Sequence, residues 1–161
     1  MTTLKHTIEI NRALRDVYAL ARQVERYPEF MKDYLSSKIV EHRPDGDLVE
    51  RSAIVKGKFY TWKSLVTFQK NEGVYFVHQE GPLHGMQVSW RFEALTPDRT
   101  RLSITHHLQV RRAVPFLGWV LERVYYAPNI GDIASRVVVA FKAACESLPA
   151  ETAARQPVGM V

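Results

Sequence analysis

Four polar residues fall at positions where the surrounding strand pattern is apolar: Arg51, Ser64, His78 and His106. A guanidinium, a hydroxyl and two imidazoles in such a setting could orient the polar end of a ligand or take part in acid–base chemistry. A buried histidine is more often structural, whereas a buried arginine needs a carboxylate or a ligand anion to offset its lost hydration. Arg51 is therefore the most informative of the four. A shift of one residue in the phase of its strand would turn it toward solvent.

The same strand faces carry large apolar and aromatic side chains. Alternation with a period of two places these residues on one face and polar residues on the other. A mainly apolar lining with a few polar groups is typical of a ligand pocket, but it also fits a solid core in which each polar group bonds to the backbone. The sequence leaves both alternatives open. The inward set includes Tyr60, Trp62, Val66, Phe68, Phe76, Met86, Val88, Trp90 and Phe92.

Other catalytic and cofactor-binding patterns are absent from the sequence. There is no Gly-x-Ser-x-Gly elbow and no glycine pattern for a nucleotide. His106 and His107 are adjacent on a strand and point to opposite faces, which is wrong for a shared metal. Cys145 lies on an apolar helical stripe, where it serves as packing. We therefore predict neither a metal nor a cofactor.

Seven strands and three helices are predicted to position these residues. A strand over Leu4–Ile10 precedes a helix that is capped by Asn11 and ends near Tyr27, and Pro28 begins a short second helix. Turn signals then separate six strands in a hairpin meander. The six strands are expected over residues 35–42, 48–55, 58–69, 74–80, 86–95 and 101–110.

From Pro115 the apolar pattern takes a helical period, which predicts a long C-terminal helix that Pro128 and Gly131 kink or break near its middle. The order of elements predicts an α+β fold in which a bent seven-stranded antiparallel sheet wraps around this helix. We expect one domain over residues 1–148 and a disordered tail over 149–161. The helical stripe comprises Phe116, Val120, Val124, Val137, Val138, Phe141, Ala144, Cys145 and Leu148.

Composition and charge narrow the function classes. The 161 residues carry a formal charge of +5, but the longest basic run is Arg111-Arg112, so the charge indicates a solvated surface rather than a nucleic-acid site. The N-terminus lacks the apolar core of a signal peptide, no apolar run could span a bilayer, and the lone Cys145 excludes an internal disulfide. We expect a cytoplasmic protein, and a homodimer is left open.

Three segments resemble a known family: Val24–Phe30 with the letters VERYPEF, Phe59–Trp62 on the fourth strand, and the transition into the long helix at residues 115–117. They are similar to the polyketide cyclase/dehydrase and coenzyme Q-binding group of the START-like helix-grip superfamily, also called SRPBCC. The likeness covers about residues 3–148. It implies a helix-grip fold with the order β-α-α-β6-α and a deep cavity between sheet and helix.

The resemblance also implies which residues meet a ligand. It places Tyr27, Phe30, Met31, Leu83 and Met86 at the mouth of the cavity and the other ligand-binding residues inside it. The predicted ligand-binding set is Tyr27, Phe30, Tyr60, Trp62, Ser64, Phe76, His78, Met86, Trp90, His106 and Val124.

Three functions follow from the resemblance. The first is binding or transport of a quinone, isoprenoid, lipid or polyketide-like molecule, with transient contact to a membrane. The second is an aromatase/cyclase acting on a poly-β-keto chain, with Arg51, Ser64, His78 and His106 as catalytic residues. The family's Trp-x-Ser-x-Arg pattern reads Trp62-Lys63-Ser64-Leu65-Val66 here, so the arginine is missing and Arg51 would have to replace it. The third is a ribosome-associated, toxin-like role, for which no RNA-binding patch is present.

Overall fold

The computed structural model describes residues 2–108 and 115–149. Its seven strands form one antiparallel sheet in the order β1-β7-β6-β5-β4-β3-β2. Strands β2 to β7 are joined in sequence as hairpins, and β1 pairs with β7, so the predicted meander is confirmed. The strands are β1 Thr2–Ile10, β2 Tyr34–Arg43, β3 Gly46–Val55, β4 Lys58–Gln69, β5 Gly73–Glu80, β6 Gln87–Thr96 and β7 Arg99–Leu108.

Short helical elements connect β1 to β2. Helix α1 covers Leu14–Ala21, a 3-10 turn covers Val24–Arg26, and α2 covers Tyr27–Phe30. The predicted cap at Asn11 is wrong, since Ala13 precedes the helix in an extended conformation and the Asn11 backbone N–H donates to Glu146 Oε1 (2.9 Å). The predicted end near Tyr27 is also wrong, because α1 stops at Ala21. Pro28 does lie in the first turn of α2, where its missing N–H costs nothing.

The C-terminal helical region is continuous but irregular. It consists of α3 (Pro115–Leu121), a π-helical segment (Glu122–Tyr126) and α4 (Ala127–Glu146). Of the kink or break predicted at Pro128 and Gly131, the irregularity near Pro128 is present and lies just before it, whereas the helix continues through Gly131. Pro128 has no N–H to donate to the preceding turn, which favours a local change of hydrogen-bond register there.

The π-helical segment changes which residues face the sheet. Its wider turn shifts the helical phase relative to a regular α-helix. As a result Val138 and Phe141 on α4 are buried, whereas Phe116 and Val124 are 71% and 72% exposed. The predicted apolar stripe is therefore right for α4 and wrong for these two residues.

An aromatic cluster joins the sheet to the helices. The Trp90 ring on β6 stacks on Tyr27 (5.5 Å between centroids) and meets Phe141 of α4 edge-on (5.2 Å). The Tyr27 hydroxyl donates to the Ala21 carbonyl at 2.5 Å, which ties α2 to the end of α1. This cluster fixes α4 against the sheet. The observed architecture is thus α+β and of the helix-grip type.

Some expectations fall beyond the described residues. Positions 109 and 110 of the predicted last strand lie outside them, as does the predicted tail from residue 150 onward. Within residues 2–108 and 115–149, no helix combines the length and the apolar character needed to cross a membrane.

Candidate functional site

A cavity of about 150 Å³ lies between the inner face of the sheet and the C-terminal helix. By volume it holds about one aromatic ring, and it is smaller than the roughly 300–1,000 Å³ of most ligand pockets. A larger ligand would have to displace side chains at the mouth. Residues of β2 to β7, the β5–β6 loop, the π-helical segment and α4 contribute to the lining. The aromatic and aliphatic part includes Tyr34, Tyr60, Trp62, Phe76, Leu83, Met86, Val88, Trp90, Ile104, Tyr125, Tyr126, Ile130 and Val137.

The structure brings most of the sequence-predicted site residues together around this cavity. Arg51 is 5% exposed and lines it, so the uncertain phase of β3 is settled with Arg51 inward. The alternation of Val49, Arg51 and Ala53 on β3 places all three side chains in the interior. The other predicted residues on the lining are Tyr60, Trp62, Phe76, His78, Leu83, Met86, Trp90 and His106.

Five predicted site residues do not line the cavity. Tyr27 and Met31 are fully buried in the core, and Phe30 packs on Phe141, because α2 turns inward toward Trp90. Ser64 is fully buried but lies behind Arg51, whose Nη2 is 3.4 Å from its Oγ. Val124 is exposed, because the π-helical segment turns it away from the sheet.

Two residues that the sequence did not single out, Tyr125 and Asn129, also line the cavity. Tyr125, in the π-helical segment, lines the cavity, and its hydroxyl lies 3.1 Å from that of Tyr60 on β4. Asn129 is buried on α4, where its Nδ2 donates to the Tyr125 carbonyl (2.8 Å) while its Oδ1 has no partner. In the sequence, Pro128 was the signal that the helix is irregular near Tyr125 and Asn129. The residues that face the sheet depend on the π-helical register, which the sequence pattern does not reveal.

A glycine holds the β5–β6 loop against Trp62. Gly81 has φ of +109°, and a Cβ at this position would lie 2.8 Å from the Cβ of Trp62. Only glycine tolerates both the backbone conformation and the contact. The loop therefore packs directly on Trp62 and supports one wall of the cavity.

Arg51 carries a positive charge into the cavity wall. Its Cζ lies 4.6 Å from the ring centroid of Phe76, 5.7 Å from that of Trp62 and 5.8 Å from that of Tyr34. Burial lowers its pKa from the ordinary value, although an arginine remains charged at neutral pH. Within residues 2–108 and 115–149, its Nε has no hydrogen-bond partner. The aromatic faces offset part of the lost hydration, but they do not neutralise the charge.

The two histidines on the lining are uncharged at neutral pH. Burial, with the Arg51 charge and then His106 as smaller causes, lowers the pKa of His78 to about 3. Burial also lowers the pKa of His106 to about 4, with His6, Arg51 and His107 as smaller causes. The Nδ1 atoms of both rings are buried and have no partner. Neutral imidazoles can donate or accept a hydrogen bond, so both rings can orient a polar group of a ligand.

Solved structures of known proteins share this fold. A protein from Thermus thermophilus superposes with a TM-score of 0.76 at 16% identity, covering 89% of this chain and 97% of that one. A START superfamily protein from Mycobacterium smegmatis gives 0.67 at 17% identity, with 89% and 94% covered. The Zhui aromatase/cyclase from a Streptomyces species gives 0.67 at 20% identity, with 86% and 93% covered. At these identities the likeness shows the START-like fold alone.

A family model identifies the relationship at the level of sequence. Among curated protein sequences, none matches this chain significantly. The model described as polyketide cyclase / dehydrase and lipid transport matches residues 10–128, which include Arg51 and every strand of the cavity wall. The resemblance of the short segments is therefore confirmed, and the chain belongs to the polyketide cyclase/dehydrase and lipid transport family.

Proposed function

We propose that this protein binds and carries a hydrophobic small molecule in the cavity between its sheet and α4. The observation that carries the proposal is an aromatic-lined cavity in which buried polar atoms of Arg51, Trp62, His78, His106 and Asn129 lack partners among the described residues. Buried polar groups in native proteins are normally hydrogen-bonded, so these atoms are suited to the polar end of a ligand. A quinone, an isoprenoid, a lipid and an aromatic polyketide all combine such an end with an apolar body.

The direct test is native mass spectrometry of the protein purified from its own host, followed by extraction of bound molecules. A co-purifying lipid, quinone or isoprenoid would support the carrier function. A cyclised polyketide would favour the second candidate, an aromatase/cyclase. One contact favours that candidate. Arg51 donates to Ser64 Oγ, so a guanidinium lies beside the Trp62 and Ser64 of the family's Trp-x-Ser-x-Arg pattern. Val66 occupies the position of the arginine in that pattern.

Trp62→Ala is expected to weaken binding of the extracted molecule by about fivefold or more, since truncating an aromatic side chain at the centre of a binding site costs about 1 kcal/mol or more. The indole of Trp62 stacks on His78 (6.1 Å between centroids), and the Arg51 Cζ lies 5.7 Å from its ring centroid. Its Nε1 has no partner among the described residues. Trp119→Ala is the matched control, because Trp119 is 54% exposed on α3. Titration calorimetry on both variants measures the effect. Unchanged affinity in Trp62→Ala would argue against this cavity as the binding site.

Exposed apolar residues lie close to the mouth of the cavity. The tip of the β3–β4 hairpin exposes Ile54 and Phe59 beside Lys56 and Lys58, and the Tyr60–Tyr125 contact brings this hairpin to the helix. The helix exposes further apolar residues and Arg123. Apolar side chains among basic residues suit the headgroup region of an anionic bilayer. The exposed apolar residues of the helix are Phe116, Leu117, Trp119 and Val124.

We therefore expect a transient membrane contact through this surface. Phe59→Asp combined with Trp119→Asp should lower binding to phosphatidylglycerol-containing vesicles by about tenfold, since both changes remove apolar insertion and add repulsion. Val139→Asp, which changes a 61% exposed residue on α4, is the control. Cosedimentation with the vesicles measures the bound fraction, and the difference between low and high salt measures the electrostatic contribution to binding. Equal binding of the double variant and the control would contradict the membrane contact.

The cytoplasmic location, a homodimer and a ribosome-associated role stay predictions.

A further inference from the structure

The charge of Arg51 is not neutralised by the protein. Among the described residues, no carboxylate lies within salt-bridge distance of its guanidinium, and its one hydrogen bond is the long contact to Ser64 (3.4 Å). Its other close neighbours are the ring faces of Phe76, Trp62 and Tyr34. A buried cation without an anion is costly to keep in a folded protein. The arrangement is therefore suited to a negative charge that the protein itself does not supply.

The carboxylate on the described lining, Asp33, does not supply the negative charge that Arg51 lacks. Asp33 is the only carboxylate among the described residues that line the cavity. Its Oδ1 and Oδ2 accept hydrogen bonds from Arg136 at 3.0 and 3.1 Å, which uses both oxygens in a two-pronged pair. His78 and His106 are neutral at pH 7 and add no charge of either sign. With Asp33 paired to Arg136, Arg51 is the charge on the described lining that has no counter-ion among the described residues.

Hydrogen-bond donors accompany this charge. The Nε of Arg51 and the Nε1 of Trp62 are buried donors without partners in the described part of the chain, and the Arg51 Cζ lies over the Trp62 ring, 5.7 Å from its centroid. His78, stacked on Trp62 at 6.1 Å, has an unpartnered Nδ1. An arginine, an indole N–H and an imidazole on neighbouring parts of one cavity wall suit oxygen atoms that carry negative charge. Beyond them the lining is apolar.

We infer that the ligand is an amphipathic carboxylate, whose charged oxygens bind at Arg51 and Trp62 while its apolar body fills the cavity. This inference rests on the proposed function and narrows its ligand class. A neutral quinone, alcohol or hydrocarbon would leave the Arg51 charge buried and unpaired. An organic anion pairs with it in a setting of low dielectric constant, where the attraction is stronger than in water.

The test compares acids with neutral analogues of the same shape. Titration calorimetry of the delipidated protein at neutral pH would use benzoate with benzyl alcohol, 2-naphthoate with 2-naphthylmethanol, and octanoate with octanol. The native protein is expected to bind the anion of at least one pair about tenfold more tightly than the alcohol. Arg51→Met should abolish that preference and keep the affinity for the alcohol, because methionine fills similar space without charge. Arg123→Met, which removes an exposed arginine from the helix, should keep the preference.

The outcomes separate the two proposals. Equal affinities for anion and alcohol in the native protein, or a preference that survives in Arg51→Met, would overturn the anion site and leave hydrophobic binding intact. No binding of any of the six compounds would overturn both proposals.

A second measurement uses the native protein and covers the case in which Arg51→Met does not fold. Carbon-13 NMR of bound carboxyl-labelled naphthoate reports the pKa of its carboxyl group, and a lowered pKa supports the pairing with Arg51. An unshifted or raised pKa of the bound acid would overturn it.

Discussion

Replacing Phe141 by alanine is expected to lower the free energy of unfolding by about 3–5 kcal/mol, the usual cost of truncating a buried phenylalanine. Phe141 is fully buried on α4, and its ring contacts Trp90 (5.2 Å between centroids) and Phe30 (6.2 Å). The substitution removes the ring that joins the helix to the sheet and to α2. The space left behind cannot close fully, because the surrounding aromatic rings hold one another in place.

Urea unfolding followed by circular dichroism measures this cost. Val139→Ala is the matched control on the same helix, where Val139 is 61% exposed and truncation should change stability by no more than about 0.5 kcal/mol. A loss below about 1 kcal/mol in Phe141→Ala would show that the aromatic cluster does not hold α4 to the sheet. A full loss would identify this cluster as the support on which the cavity walls depend.

The sheet was predictable because its signals are local. Alternation and turn residues indicated every strand, and the longest, Lys58–Gln69, was predicted with the bounds that it has. The apolar neighbours of Arg51 on β3 favoured an inward face but left its phase uncertain, and the structure places Arg51 inward. Each of these inferences depends on a few adjacent residues, for which period-two patterns are informative. The helix-grip fold then followed from the order of elements.

The mouth of the cavity was less predictable, because it depends on contacts between distant segments. Tyr27 was expected at the mouth, but its stacking on Trp90 draws it into the core, and no local pattern reports that pairing. Val124 was expected inside the cavity, and the π-helical segment turns it outward. Whether Arg51 has an acidic partner is likewise a property of the tertiary structure. The missing partner of a buried charge is visible only when all neighbours are in place.

Acidification from pH 7 to pH 5 is expected to destabilise the protein through His78 and His106. Burial lowers the pKa of His78 to about 3 and that of His106 to about 4, whereas in the unfolded chain both titrate near 6.5. Below about pH 6.5 the unfolded chain therefore binds protons that the native state does not, and stability falls with decreasing pH. The loss from His78 reaches about 2 kcal/mol at pH 5, with less from the partly exposed His106. The decline ends near the native pKa values, where the folded protein also takes up the protons.

Stability measured by urea unfolding between about pH 8 and pH 4 tests this expectation. The double variant His78→Phe/His106→Phe should lose stability less steeply with acid than the native protein, because phenylalanine keeps a ring and cannot titrate. His84→Gln, on the exposed β5–β6 loop, should keep the native slope. Identical slopes in the double variant and the native protein would contradict the prediction. A shallower slope would mean that both rings stay neutral at pH 7, so that Arg51 is the charge on the described lining that a ligand has to complement.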